Sequence, residues 1–454
     1  MAAADDGGYF IAGYQRLYSG ARDLWLIRTN AAGEFLWETV TGGDGSESAS
    51  AVVATSDGGC VIAGRTDSFG FGGHDGWLVR FDREGREVWS RTYGDTELDN
   101  FSALVETGDG FCITGYTQSE EPGERPSWLI HTDADGNERW RRLYEPESIY
   151  LPQKMCSTDD GGWAIVGSEL SREDCVVLRV DSEGEPIWEH RYGESDQLDT
   201  GKSIVRDEEG GFFVAFHSKK SEDPKEPRIC LVRIDGEGNQ QFFQRYESIW
   251  GSEFPTFMQR SPNGGVFIAG HGDGPQWGND ALVYRMDANG DSLWKQWHWG
   301  PTEARDFAYA TAIARDSGWV VAGSFGGYPG EPYGDQGWLL KYEPEAGACH
   351  LNVSTEAPDR IARGETLIFQ AKATNPCAES RSFDEATLRV SGPASYERSL
   401  FHGGALGLEP GSSVAANVEP PVPPGAPLGH YTVAVSVFLG GNPVDANSFA
   451  IEVF

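Results

Sequence analysis

One phrase is written seven times along this chain. Gly8, Gly59, Gly110, Gly162, Gly211, Gly265 and Gly318 each open it, roughly 50 residues apart. Its clearest copy runs Ser56-Asp57-Gly58-Gly59-Cys60-Val61-Ile62-Ala63-Gly64, then Asp75-Gly76-Trp77-Leu78-Val79-Arg80-Phe81-Asp82, then Glu87-Val88-Trp89-Ser90-Arg91-Thr92-Tyr93-Gly94. Such a unit is too short to enclose a core of its own, and its segments are strand-length, apolar and punctuated by Gly. Copies must therefore stack on one another, and at this period the stack expected is a β-propeller.

Each repeat offers four strand signals. The first is small and apolar, as in Ser102-Ala103-Leu104-Val105. The second follows the Asp-Gly-Gly turn, the third is Trp-Leu-Val-Arg, and the fourth carries Trp37, Trp89, Trp140, Trp188 or Trp294. Small residues suit the crowded axis and large aromatics the wider outer gaps between blades. The signals are not equally complete. No Trp-bearing strand follows Leu339-Leu340-Lys341, and Ala2-Ala3-Ala4 resembles only the tail of a first strand. The expectation is a ring whose first and last blades are incomplete in this chain, with a strand pair expected upstream of Met1 in a longer precursor.

After about residue 345 the period stops. Alternating segments such as Thr366–Lys372 and Tyr431–Val437, separated by Pro- and Gly-rich turns, predict a β-sandwich over 346–454. The turn Pro423-Pro424-Gly425-Ala426-Pro427-Leu428-Gly429-His430-Tyr431 resembles the approach to the tyrosine corner of immunoglobulin-like domains. The fold expected is thus all-β: a seven-bladed propeller over 1–345, then an immunoglobulin-like sandwich.

The Asp-Gly-Gly turn, the Asp-x-Trp-Leu strand and the Gly-x-x-x-Trp strand resemble the β-propeller repeat families of secreted and surface proteins of bacteria and archaea. That resemblance implies a binding or surface role and a C-terminal sandwich. It carries no catalytic residue over.

Composition excludes several partners. A formal net charge of -34 argues against nucleic acid and against an anionic membrane surface. No apolar run is long enough to span a bilayer, and no leader peptide is visible. Acids spread over every blade suit a halophilic source and equally an ordinary acidic secreted protein. Cys60 and Cys112 share one repeat position and Cys175 and Cys230 another, which reads as core packing. Cys349 and Cys377 are candidates for one disulfide, the alternative being free thiols.

Several motifs have a plain reading beside the chemical one. The third strand ends in Arg28, Arg80, His131, Arg179, Arg233, Arg285 or Lys341, with a polar or acidic residue two positions on, and a ring of seven is architecture. Asp133-Ala134-Asp135-Gly136-Asn137 and Asp287-Ala288-Asn289-Gly290-Asp291 look like calcium loops, but the constant element is the hairpin Gly. Glu47, Asp99, Asp199, Glu253 and Asp306 precede the inner strands as turn caps or, paired, as glycosidase acids. Thr200-Gly201-Lys202-Ser203 mimics a phosphate loop, yet Asp196 stands where its first Gly belongs and a strand follows.

The loops between strands two and three vary most, and variable loops on a rigid scaffold are where binding resides. Trp250, Trp277, Tyr328 and Tyr333, with His271, Asp273 and Asp280 nearby, are the binding residues expected at that rim. The function expected from them is a non-catalytic extracellular or cell-surface binding or surface-assembly module taking a carbohydrate or protein ligand. One alternative is a polysaccharide hydrolase or lyase with Asp273 or Asp306 at the axial mouth. Another is a purely structural surface or filament component. No cofactor and no metal is expected. The partners expected are a glycan or a protein, or further copies of the chain.

Overall fold

The computed structural model describes residues 1–342 except 17–19, 119–125, 146–147, 170–173, 195–196, 221–226, 247, 249–250, 263, 274–278, 299–305, 315–317 and 326–335, and beyond 342 only the strands. The chain divides into two units. One holds Met1–Trp299 with Glu303–Tyr342, and the other holds Gly300–Thr302 with Glu343–Phe454.

Seven antiparallel sheets make up the first unit, and it is an all-β, seven-bladed propeller. Blade 2 is representative: Glu47–Ala54, Cys60–Thr66, Asp75–Phe81 and Glu87–Tyr93 pair in sequence order from the axis outward. Blades 3 to 6 repeat it. Blade 1 has an inner strand of only two residues, Ala2–Ala3. Blade 7 consists of three strands, Asp306–Ile313, Trp319–Phe325 and Gln336–Tyr342. Both shortfalls fall where the sequence signals run out.

The repeated phrase has a local physical cause. Gly58 sits in a tight turn at φ 87°, a left-handed conformation that costs glycine nothing. Its neighbour Gly59 is needed for a different reason. A Cβ there would lie 2.2 Å from the carbonyl oxygen of Phe81 on strand three. Asp57 completes the turn. It accepts from the Thr55 hydroxyl at 2.6 Å, the Gly59 amide at 3.2 Å and the Arg80 guanidinium at 2.7 Å. The Thr55 hydroxyl above all, with Arg80 behind it, holds the Asp57 carboxyl down at about 2. Thus Arg80, closing strand three, pairs with the turn Asp of its own blade, as Arg28 does with Asp6 and Arg179 with Asp160. The acid two positions on does something else: Asp82 Oδ1 accepts from the amides of Glu84 and Arg86, closing the next hairpin. Asp133 does the same for Asp135 and Asn137, so the calcium-like motif is a hairpin turn.

Apolar layers lie between blades rather than within them. Val166, Cys175 and Val177 of blade 4 pack on Phe212, Val214 and Cys230 of blade 5, all buried. Cys60 and Cys112 are buried in the same manner. At the outer edge, strand four ties each blade to the next. Trp89 and Trp140 lie under the turn glycines Gly136 and Gly184. The tyrosine four residues along donates its hydroxyl hydrogen to a glycine carbonyl: Tyr144 to Gly184 at 2.8 Å, Tyr192 to Gly238 at 2.7 Å, Tyr246 to Gly290 at 2.6 Å. Tyr192→Phe is expected to lose this buried bond alone. It should lower stability by about 1 kcal/mol, read from the urea midpoint at unchanged slope.

In the second unit the described strands form two sheets. Asn352–Glu356, Phe369–Thr374 and Ser413–Val418 make one. The other is ordered Arg360–Ile361, Asn442–Val453, Gly429–Leu439, Arg381–Ser391 and Tyr396–Leu408. Cys349 and Cys377 lie outside the described residues.

Candidate functional site

The inner strands share one irregularity. Their pairing with strand two skips a residue: Ser50 in blade 2, Ser102 in blade 3, Lys202 in blade 5, Thr256 in blade 6 and Tyr309 in blade 7. In blade 4 the skip falls between Tyr150 and Lys154, where Leu151 is held at φ 49°. A β-bulge releases one residue from the ladder and re-aims its side chain. Among the described residues no strand pairs with the inner edge of these strands, which places the released residues on the innermost strand of each blade, and Thr256 Oγ1 donates to the Ala269 carbonyl at 3.0 Å. Burial agrees, since none of the five is buried, and Tyr309 is 52% exposed. Five blades thus place one polar side chain each around a common opening, and the side chains differ.

Blades 5 to 7 carry the most distinctive part. His217 lies 5.3 Å from Phe254, centroid to centroid. Phe254 stacks on His271 at 5.1 Å, His271 meets Phe307 edge-on at 4.7 Å, and Phe307 stacks on Tyr309 at 5.7 Å. Five rings from three blades therefore form a continuous ladder. The two histidines occupy one repeat position within strand two, where blade 2 carries Arg65 and blade 3 Tyr116. Neither His217 Nδ1 nor His271 Nδ1 has a hydrogen-bond partner. Burial, reinforced by the charge of Lys202, holds His217 down at about 3 and His271 at about 4. Both rings are neutral at pH 7.

Two lysines join them. Lys202 is the bulged residue of blade 5. Lys154 reaches from blade 4 past blade 5 to place its ammonium 5.2 Å from the Phe257 ring of blade 6, a contact that only the axis permits. No acid among the described residues pairs with either. Burial lowers both, Lys154 to about 8. In a chain of net charge -34 that carries only eight lysines, two unpaired ones on inner strands are a marked local reversal of sign.

The acids preceding the inner strands, expected as turn caps or as paired glycosidase acids, are buried at the connectors. Glu47, Asp99, Asp199, Glu253 and Asp306 are all at most 1% exposed. Glu47 accepts from the Gly43 amide and the Thr66 hydroxyl, Asp99 from the Asp95 amide and Asp199 from the Glu194 amide, so these three cap the connectors between blades. They also stand beside acids opening strand three of the preceding blade: Asp23 by Glu47, Asp75 by Asp99, Asp174 by Asp199. Desolvation, increased by these neighbours, pushes Asp75 and Asp199 up to about 6.

Of the residues expected at the variable-loop rim, Trp250, Trp277, Tyr328 and Tyr333 lie outside the described residues. His271 belongs to the axial ladder. Asp280 is only 2% exposed at the inner end of its strand, and Asp273 is exposed, with its Oδ2 accepting from the Ser252 amide at 3.0 Å. The ring of bulged residues was missed. Its signal was present as one off-pattern polar residue inside each small, apolar first strand. Lys202 was set aside together with the phosphate-loop mimic that contains it, and that mimic is indeed the inner strand of blade 5.

No protein-family model matches the sequence, and a search of curated proteins returns no relative. Among solved structures, the chain is similar to the β-propeller domain of the Trilobed protease from Pyrococcus furiosus, at 10% identity over 70% of this chain and 87% of that one, TM-score 0.39. It is also similar to a GH43 β-1,3-galactosidase, at 8% identity over 60% and 71%, TM-score 0.35. A third is the xylan β-1,4-xylosidase from Bacillus halodurans C-125, at 10% identity over 88% of both chains, TM-score 0.29. Glycoside hydrolases thus stand among the propellers it matches. The expectation of a non-catalytic module binding its ligand at the variable-loop rim is corrected accordingly.

Proposed function

We propose that the axial opening is the active site of an enzyme that cleaves a carboxylate-bearing polysaccharide by β-elimination. The observation that carries this reading is the pair of acid-free lysines, Lys154 and Lys202, beside two neutral histidines with free Nδ1 atoms. Half-buried cations without counter-charges are costly, and an anionic ligand offsets that cost.

The chemistry follows from the groups. Lys202 and Lys154 hold the carboxylate of a uronate residue and draw charge toward it, which acidifies the proton on C5. The His271 imidazole takes that proton. The C5–H electron pair becomes a C4=C5 double bond, the C4–O bond breaks, and the departing oxygen takes a proton from the Tyr309 hydroxyl. An anion next to Lys202 also cancels part of the field that depresses His271, so substrate binding moves the base toward the working pH. Phe254 and Phe307 supply flat apolar faces for sugar rings. Paired carboxylates, the requirement of a hydrolase, do not face this opening among the described residues. In the same reading the C-terminal sheets form an immunoglobulin-like sandwich and the protein works outside the cell.

The test is ultraviolet absorbance of unsaturated product on polygalacturonate, alginate and glucuronan. Lys202→Met is expected to reduce the rate about 100-fold or more while leaving the melting temperature unchanged. Activity should also decline above pH 8 as Lys154 loses its charge. Release of reducing ends without unsaturated product, or a rate indifferent to Lys202→Met, would overturn the assignment.

A further inference from the structure

Most of the described arginines in the ring already hold a carboxylate. Arg28, Arg80 and Arg179 hold turn aspartates, and Arg139, Arg191 and Arg245 hold other acids. Arg22 and Arg65 differ. Among the described residues neither forms an ion pair, and neither guanidinium has a hydrogen-bond acceptor. Both line one cavity of about 180 Å³ at the junction of blades 1 and 2, whose wall is completed by Ser46, Glu47, Ser48 and Asp67.

Three pieces of chain bring these groups together. Arg22 opens strand three of blade 1, Arg22–Thr29. Ser46, Glu47 and Ser48 lead into the inner strand of blade 2, and Arg65 stands directly across the ladder from Ser48. Arg65 therefore takes, in blade 2, the repeat position of His217 and His271. Arg22 is fixed by its face: its Cζ lies 4.4 Å from the centroid of the Tyr14 ring, and its amide donates to Ser46 Oγ at 3.3 Å. A guanidinium stacked on a ring keeps its N–H donors in its own plane, where the two oxygens of a carboxylate can meet them.

The acids of the cavity do not answer this charge. Glu47 Oε1 accepts from the Thr66 hydroxyl at 2.8 Å and its Oε2 from the Gly43 amide at 3.1 Å. Asp67 is paired with His74. Asp23, next to Arg22 in the chain, is raised by desolvation and by Glu47, and no arginine lowers it. Two half-buried guanidinium groups and the Ser48 hydroxyl are thus left facing a space too small for a protein segment.

We propose that Arg22, Arg65 and the Ser48 hydroxyl form a subsite for a second carboxylate of the anionic polymer. The identity of that polymer rests on the function proposed above. One uronate is cleaved at Lys154 and Lys202, while another residue of the same chain docks at the junction of blades 1 and 2. Once the first is held, binding of the second is intramolecular, so long chains bind more tightly than single sugar acids.

The test is calorimetric titration of the full chain with polygalacturonate, dextran sulfate and a neutral galactan. Arg22→Gln and Arg65→Gln are each expected to weaken polygalacturonate binding about 10-fold or more. Arg65→Lys, which keeps the charge without the fork, should lose less. Arg91→Gln removes one charge from the outer strand of blade 2 and should stay within about twofold. Neutral galactan should bind no better to the parent than to either variant. No binding of polygalacturonate by the parent, equal affinity in Arg65→Gln, or an equal loss in Arg91→Gln would overturn the subsite, whether or not the protein cleaves the polymer. Dextran sulfate bound more tightly than polygalacturonate, with the same losses, would assign the subsite to sulfate esters and overturn the carboxylate. A parent that releases no unsaturated product, yet loses binding in both variants, would overturn the lyase reading alone and support the subsite.

Discussion

Replacing Gly59 by Ala is expected to unfold blade 2 or to cost the propeller about 3 kcal/mol or more. The added methyl would sit 2.2 Å from the Phe81 carbonyl oxygen, and that oxygen belongs to the backbone of strand three, which cannot swing aside as a side chain can. Relief requires the turn to pull away from strand three. Doing so also breaks the hydrogen bonds of Asp57 to Thr55, the Gly59 amide and Arg80, so the loss is cooperative. The matched control is Gly108→Ala, in the corresponding turn of blade 3. There a Cβ meets no atom within 4 Å, and the change should stay within about 0.5 kcal/mol. Urea unfolding of the two variants checks the prediction. Equal midpoints would show that the second glycine of the repeat is not a packing requirement.

That glycine also explains why the fold was legible. Its constraint is local and recurs in blades 1 to 6, so it survives in the sequence as a fixed phrase. The hairpin Asp-x-x-Gly and the fourth-strand Trp are of the same kind, each tied to a near neighbour or to the adjoining blade. Even the incomplete blades were visible, because a missing strand removes a whole signal. The sequence did not reveal what Arg80 and its equivalents bind. In blades 1, 2, 4 and 5 their partner is a turn Asp 19 to 26 residues earlier rather than the acid two positions on, a pairing made by strand order and not by spacing.

The candidate site was largely illegible for the opposite reason. It is assembled from single residues of five blades, and what aligns them is a bulge. A bulge depends on the register between two strands, which no residue type announces. Ser50, Ser102, Lys202, Thr256 and Tyr309 share neither charge nor size, so no motif connects them. His271 was expected at the rim and His217 was not singled out, and only strand pairing put them at one level. The rim aromatics drew attention because they depart from the repeat, and Trp250, Trp277, Tyr328 and Tyr333 lie outside the described residues.

Stability of this protein is expected to fall as the pH rises from about 4 to about 6, and Asp199→Asn is expected to remove part of that fall. An aspartate in the unfolded chain titrates near 3.9. Asp75 and Asp199 titrate near 6 in the fold because desolvation, aided by neighbouring acids, disfavours their charge. Between those values the folded state binds more protons than the unfolded one, so stability declines with rising pH and the loss is complete above about 6. With allowance for water reaching the junction, each group accounts for about 1 to 2 kcal/mol. The opposite limb comes from Asp57 and Asp160, held at about 2 by threonine hydroxyls and arginines, whose contribution is present above pH 4 and lost as the pH falls through 2. The melting temperature should therefore peak between about pH 4 and 5. Asn keeps the acceptor for the Glu194 amide and carries no charge, so it stands in for the protonated acid at every pH. Asp199→Asn should match the parent at pH 4 and exceed it at pH 8, whereas Asp160→Asn should fall below it at pH 8. Calorimetric melting of the three proteins from pH 3 to 9 decides the matter. If Asp199→Asn melts no higher than the parent at pH 8, the blade junctions do not store the repulsion their geometry implies.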